Sequence, residues 1–432
     1  MFNTALFSTK RSGWIAALCL LYLSAVPVIG QEIWTLESSM RHVLEVAPEA
    51  RAADAGIRAQ NGALKQAGAW PNPEVGLRVD DKIGKDEGSS GRDLTQLTFS
   101  QSLPLGGRLG RERKVASAKL RGAQAERLTQ RLELEFQVAG IFHPLQLATA
   151  TLYLAEQQLQ FADRLMDVGR QRALAGDLSR LEQLRIGLIR ESAQQALDKA
   201  EGEFNEILSL FQIRLGLPGE TIPKLEPLEP FGPVPDLAEL QVGFDMHPLV
   251  STARSGLEGA RAGADLVRAE RWQDPVLQVF RERDVLNGRR QNVTGVGVTV
   301  PLPFWDRKAG KIDEMRANAI QMESRLQALR QKLEGRLRQS HLHLTHLVEQ
   351  GIHFRTQIFE PAREFFELTS KAYAADEAGI LTMIDAHDTY FQAHARYLEL
   401  LQEAGLEAAE LRWAAGRSLV EAGPSTVKGT QP

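Results

Sequence analysis

Residues 97–123 read LTFSQSLPLGGRLGRERKVASAKLRGA. The stretch begins as a strand, with Leu97, Phe99, Gln101 and Leu103 on one face and Thr98, Ser100 and Ser102 on the other. Pro104 ends the strand; it has no N–H, so the ladder stops without an unpaired donor. Gly106 and Gly107 then permit a bend, and a helical pattern runs far beyond Ala123. The same passage from strand to very long helix recurs at residues 294–320, TGVGVTVPLPFWDRKAGKIDEMRANAI. In the second copy Val296, Val298 and Val300 oppose Gly295, Gly297 and Thr299.

Working outward, the rest of the chain repeats too. Residues 36–69 have a helical period broken at Pro48, and Trp70-Pro71-Asn72-Pro73 stops it. A hairpin is expected over 74–103 around a polar loop, then a long helix over 108–175 that Pro144 kinks or interrupts. Gly176 turns the chain, Asp177 or Ser179 caps a return helix over 178–215, and six prolines make 216–235 an extended connector. The second round has helices over 237–271 broken at His247-Pro248, then Trp272-Gln273-Asp274-Pro275 and a hairpin over 276–300. A long helix over 306–378, kinked at Pro361, turns at Gly379 into a return helix over 380–421. The expected division is therefore a first repeat over 31–235 and a second over 236–422, followed by a disordered tail at 423–432. Val300-Pro301-Leu302 is matched to Leu103-Pro104-Leu105, and Gly379 to Gly176.

Residues 1–30 read as an export signal, with Lys10 and Arg11 before the apolar run Trp14 to Val28 and cleavage before Gln31. Cys19, the single cysteine, lies in that run behind Leu18, a poor context for lipid attachment, so the mature chain has no thiol chemistry. A net charge of −4 and a pI near 6.2 give no sign of nucleic-acid binding. No other segment approaches 18 consecutive apolar residues, so any membrane entry is by strands. A lone hairpin is marginal in water, and four strands close around nothing sizeable, so strands from several copies must be pooled. In the long helices Leu128, Leu132 and Phe136, and Leu326, Leu329, Leu333 and Leu337, form narrow stripes suited to coiled-coil packing. A soluble adaptor or scaffold with a small β domain is the competing architecture. No catalytic constellation or cofactor motif is found, and no enzyme is expected. His343 and His346, in HLHLTH, are spaced for a divalent ion, but with no carboxylate or cysteine between them they read as a polar helix face.

The duplicated plan resembles the TolC-type outer-membrane efflux channels of Gram-negative bacteria. The residues that carry it are the two Trp-X-X-Pro motifs, Ser102-Leu103-Pro104-Leu105, Val300-Pro301-Leu302-Pro303, and Phe359-Glu360-Pro361-Ala362. Tyr373, Gly379 and Leu381-Thr382-Met383-Ile384-Asp385-Ala386 follow in the same order. Gly107-Arg108 and Trp305-Asp306-Arg307 resemble the heavy-metal, CzcC-like branch. The resemblance implies a mainly α fold with a small β part. It implies a homotrimer whose 12-stranded outer-membrane β-barrel continues into a periplasmic α-helical barrel. The function implied is a passive exit duct, doing no chemistry of its own, for heavy-metal cations or for drugs and other organic molecules. The implied partners are a periplasmic adaptor, an inner-membrane RND transporter and outer-membrane lipid, with no nucleic acid. It also implies a periplasmic constriction at the helix turns, where Gly176, Asp177, Arg180, Arg185, Asp376, Glu377, Gly379 and Asp385 lie. Pro104, Gly106, Gly107, Pro301 and Pro303 mark the junction of barrel and tunnel.

Overall fold

In the computed structural model, residues 33–80, 94–286, 289–375 and 377–420 are described. The expected signal peptide, the first polar loop, Asp376 and the expected tail lie outside them. Two short helices, α1 (Leu36–Val46) and α2 (Pro48–Gln66), lead to strands β1 (Glu74–Asp80) and β2 (Leu94–Ser102). Next come the long helix α3 (Arg108–Ala175) and its return α4 (Arg180–Leu215). Beyond the proline-rich connector lie α5 (Leu237–Gln241), α6 (Pro248–Ala269), β3 (Val276–Leu286) and β4 (Arg289–Thr299). The chain closes with α7 (Ala309–Phe354), α8 (Glu360–Ala374) and α9 (Ile380–Ala414). With 68 residues, α3 is on the order of 100 Å long at 1.5 Å per residue.

The strands form one antiparallel sheet in the order β1-β2-β3-β4. Hairpin two pairs further than expected: Arg283 to Leu286 and Arg289 to Asn292, read as loop, continue the ladder. Arginine and asparagine at those positions hid an alternation that pairing with β4 sustains. The sheet is joined end-on to the helices, and its strands contact chiefly one another.

Several helix boundaries also depart from expectation, each for a local reason. Pro144 sits inside an unbroken α3; the carbonyl its ring would crowd belongs to Gly140, and Phe142 and Leu145 beside it are buried. Pro361 does perturb its helix, because a π-bulge at Arg355–Phe359 separates α7 from α8. After five residues of α5, Gly243 in the left-handed region (φ 81°) turns the chain into a short 3₁₀ turn, so 237–247 is not one helix. Similarly, α9 stops at Ala414 and not at 421, because Gly416 takes φ 68°. The chain beyond it folds back onto α3, where buried Glu135 accepts the Leu419 N–H at 2.9 Å.

The main core lies midway along α3, where the C-terminal end of α4 packs against it. Met40 and Val43 of α1, Val138, Phe142 and Leu145 of α3, and Phe211 and Leu215 of α4 pack there. The connector is tied to it: Trp34 donates to Lys224 O and accepts from Glu226 N, and Gln146 Nε2 donates to Glu226 O at 2.9 Å. Phe231 of the connector seats over Gly351 of α7, where any Cβ would meet its ring. Leu333 and Leu337 of the expected stripe are buried, whereas Leu128 is exposed. Among the described residues α3 alone contains a stretch long and apolar enough to cross a membrane, and 44% of that stretch is buried inside the fold.

Candidate functional site

Three regions carry the residues singled out above: the sheet, its seam with the helices, and the far turns of the helix pairs. In the sheet, register puts Val75, Phe99, Val279 and Val296 in one row on one face, with Leu77 and Leu97 beside them. The opposite face carries Gly76, Arg78, Gln96, Thr98, Ser100, Gln278, Gly295 and Gly297. Val75, Leu77 and Val296 are 72%, 70% and 69% exposed, so the apolar face is uncovered within one chain. Among the described residues the strands contact chiefly one another, so no helix packs across this face, and a hydrocarbon solvent suits it. Among the described residues both outer strands, β1 and β4, also have a free edge.

At the first seam Leu103 N donates to Pro275 O at 2.8 Å, extending the ladder one residue beyond β2. A tight turn around Pro104 follows, in which Leu105 N donates to Leu103 O at 2.8 Å. Gly107 then takes φ 67° and starts α3; Gly106 has no such conformation. The second seam uses the same turn two residues later than matched, around Pro303, with Phe304 N donating to Leu302 O at 3.0 Å. Pro301 therefore follows the strand, and Pro303 makes the turn. Lys308, not a glycine, takes the left-handed position at φ 53°, and Asp306 Oδ1 accepts its N–H at 2.8 Å. An Asx turn of this kind supports the conformation.

Sequence reasoning missed what ties the seams together. Arg108 donates through Nε (3.1 Å) and Nη2 (2.6 Å) to Oδ2 of Asp274, and its Nη1 reaches Glu112. Asp274 foremost, opposed by partial burial, holds the guanidinium above its ordinary pKa. Lys308 Nζ likewise binds Glu270 at 3.0 Å. Both ion pairs join the residues around one tryptophan motif to the start of a long helix. The signal was present, because Arg108 and Asp274 each fall in a quoted motif, but spacing does not pair them.

At the far turns, Leu165 of α3, Ile186 of α4 and Ile380 and Ile384 of α9 share one small core, with Leu178 and Tyr373 against it. Gly176 has φ 83°, as its turn needs, but Gly379 is extended (φ −76°) and serves as the N-cap of α9. The two turns are thus built differently. Ser179, not Asp177, caps α4: its Oγ accepts from Glu182 N (3.3 Å) while Glu182 Oε2 accepts from Ser179 N (2.8 Å). Asp177 is exposed, and among the described residues Arg180 reaches Gln183. Glu377 is tied through its backbone N–H to Ala372 O at 2.8 Å. Arg185 and Asp385 do meet, at 3.5 Å, across α4 and α9. Arg172 lies 5.2 Å over the Tyr373 ring.

Just above, His387 is buried and stacked on Phe161 with ring centroids 4.1 Å apart. Burial pushes its pKa down against the opposing effect of Asp388. His343 has a carboxylate the sequence did not place beside it: its Nδ1 lies 2.8 Å from Glu407 Oε2 of α9. His341 Nε2 lies 3.0 Å from Pro235 O, and His346 is exposed. Among the described residues no three metal-ligating side chains come together.

Residues 40–208 match the family described as outer membrane efflux protein, a family of efflux proteins and not of enzymes. The cobalt-zinc-cadmium resistance protein CzcC of Cupriavidus metallidurans is 26% identical over 397 residues, 88% of this chain and 90% of that one. The nickel-cobalt-cadmium resistance protein NccC of Alcaligenes xylosoxydans xylosoxydans is 21% identical over 337 residues, 76% of this chain and 74% of its own. A structure of CusC, described in terms of folding and transmembrane channel formation, superposes with a TM-score of 0.71 at 16% identity. It covers 89% of this chain and 92% of that one, and so shares the fold. By matched segment, relatives and fold together, this chain is similar to the TolC-like outer membrane efflux proteins.

Proposed function

We propose that three copies of this chain form the passive exit duct of a tripartite efflux pump. The uncovered apolar sheet face with two open edges carries the reading. Three four-stranded sheets make a barrel of twelve strands, pairing β1 of one copy with β4 of the next, which removes every edge and turns the valine rows to lipid. Each chain, read as two repeats, supplies two unlike hairpins to the barrel and two unlike helix pairs to a periplasmic tunnel. An inner-membrane RND transporter and a periplasmic adaptor deliver the cargo and the energy. Exposed Leu174, Leu181 and Leu188 at the first helix turn are the kind of surface such a partner covers.

Heavy-metal cations are the cargo this reading favours, on the similarity to CzcC and NccC. The turns fit that cargo. Asp177, Glu377 and Asp385, each present three times, would ring the entrance with negative charge and favour cations. Arg185 holds Asp385 when the entrance is shut. His343 beside Glu407 is read as a tunnel-wall pair and not as a resident metal site.

The test has two parts. Detergent-extracted protein should run as a heat-sensitive trimer and conduct ions in a planar bilayer; a water-soluble monomer with no conductance would overturn the duct. Deleting the gene should raise sensitivity to cobalt, zinc or cadmium salts, with restoration by the wild-type chain. Unchanged metal sensitivity beside raised sensitivity to organic toxicants would replace the cargo and leave the duct standing.

A further inference from the structure

The outward face of the sheet changes character along its length. Moving away from the helices, the apolar row Val75, Phe99, Val279 and Val296 is followed by Leu77, Leu97, Arg281 and Thr294. The next row is Val79, Thr95, Arg283 and Asn292. On the second hairpin, then, apolar surface gives way at once to two exposed arginines on the same face. The boundary runs obliquely, higher on β1 than on β3, as strands tilted in a barrel require.

Depth agrees with a membrane boundary. Below Val296 the exposed residues Val298, Val300 and Leu302 continue the apolar surface towards the helices. Leu302 to Asn292, the partner of Arg283, is ten steps, or about 33 Å at roughly 3.3 Å per residue. Tilted by about 40°, that is about 25 Å of depth, the height of a barrel's apolar band. Arg283 thus stands at the outer rim, with Arg281 one row below and able to snorkel upward.

Among the described residues their charge is unanswered. Arg78, on the inward face, binds Asp80 at 2.7 Å. Among the described residues neither Arg281 nor Arg283 has a carboxylate within ion-pair distance, and Arg283 Nε donates only to Asn292 Oδ1, at 3.4 Å. Two guanidinium forks at i and i+2, facing lipid at headgroup level, match the geometry of phosphate oxygens. We propose that Arg281 and Arg283 clamp the phosphate groups of a phosphorylated glycolipid in the outer leaflet, once per protomer. The inference rests on the duct reading, which puts this face in lipid.

The test titrates the full-length protein in mild detergent with lipopolysaccharide, native or enzymatically dephosphorylated, and reads bound lipid by native mass spectrometry. The wild type should prefer the phosphorylated form by about tenfold, the worth of a charge-assisted hydrogen bond. Arg281→Gln/Arg283→Gln should lose that preference, Arg281→Lys/Arg283→Lys should keep part of it, and Arg78→Gln should keep all of it. Retained preference in the double glutamine variant overturns the clamp, as does complete competition by millimolar inorganic phosphate, which would mark a free-anion site. Failure of the wild type to partition into detergent would instead sink the duct reading. Normal partitioning and assembly with no phosphate preference would sink the clamp alone.

Discussion

Truncating Asp274 to alanine tests the seam between sheet and helix. Its Oδ2 takes two hydrogen bonds from Arg108, at 3.1 and 2.6 Å, from a residue 166 positions away. The side chains are 25% and 11% exposed, so solvent screens the pair only in part. Hydrogen bonds to charged groups contribute about 1.5–3 kcal/mol net. Here the lower end applies, because Arg108 keeps Glu112 when Asp274 is gone. We expect either Asp274→Ala or Arg108→Ala to cost about 1–2 kcal/mol, and the double variant little more than the worse single one. The coupling energy should then be about 1 kcal/mol or more. Urea unfolding in detergent, followed by helical circular dichroism on all four proteins, gives the cycle directly. Limited proteolysis between Leu103 and Arg108 reports whether the loss is local. Strictly additive costs, with unchanged cleavage at the seam, would show that the contact contributes nothing and that the turns around Pro104 and Pro303 hold the seam alone.

Other outcomes follow from the same geometry. Arg185→Ala or Asp385→Ala should cost under about 1 kcal/mol of stability, since the pair is 48% and 68% exposed, yet raise single-channel conductance; exchanging the two charges should restore it. Burial holds His143, His247, His387 and His394 below the ordinary imidazole value of 6.5. The unfolded chain therefore takes up protons first, so stability is complete above pH 6.5 and falls as pH drops from there toward the depressed folded values. His387→Phe, which keeps a ring against Phe161, should flatten that decline in acid-melting curves. Gly351→Ala should cost about 1–3 kcal/mol by displacing the Phe231 ring, and pairing it with Phe231→Ala should recover part of the loss.

Period and punctuation made the helices and hairpins legible. Alternating valine and glycine in β4, and the Trp-X-X-Pro stops before both hairpins, can be read without coordinates. What was not legible came from elements distant in sequence. Glu407 reaches His343 from 64 residues away, so the histidine pair appeared to lack a carboxylate. Arg108 finds Asp274 only because the two hairpins lie side by side through β2 and β3. Matching the two halves residue by residue also misled, as the left-handed Lys308 standing in for Gly107 shows. Duplication preserved the bend and not the residues that make it. Prolines were the hardest to read, because context decides them: Pro144 is absorbed by a buried, continuous helix, while Pro361 is relieved by a bulge.

The distribution of core along the helices bears on where the duct can move. Among the described residues the cluster midway along α3 has thirteen buried members, among them Phe142, Phe211 and Leu145. The cluster at the helix turns has four, Leu165, Ile186, Ile380 and Ile384. Each buried aliphatic side chain is worth about 1.5–3 kcal/mol relative to exposure, so the turns are held several-fold more weakly than the middle. Among the described residues Arg185 with Asp385 also links α4 to α9 at the turns, an exposed pair contributing under about 1 kcal/mol. Segments that open while the rest stays folded come from the weakly held end of a structure. Turns held by four aliphatic residues and a screened ion pair meet that condition, and the mid-helix core does not. Movement at the turns therefore costs little, and the body that anchors them keeps its shape while they part.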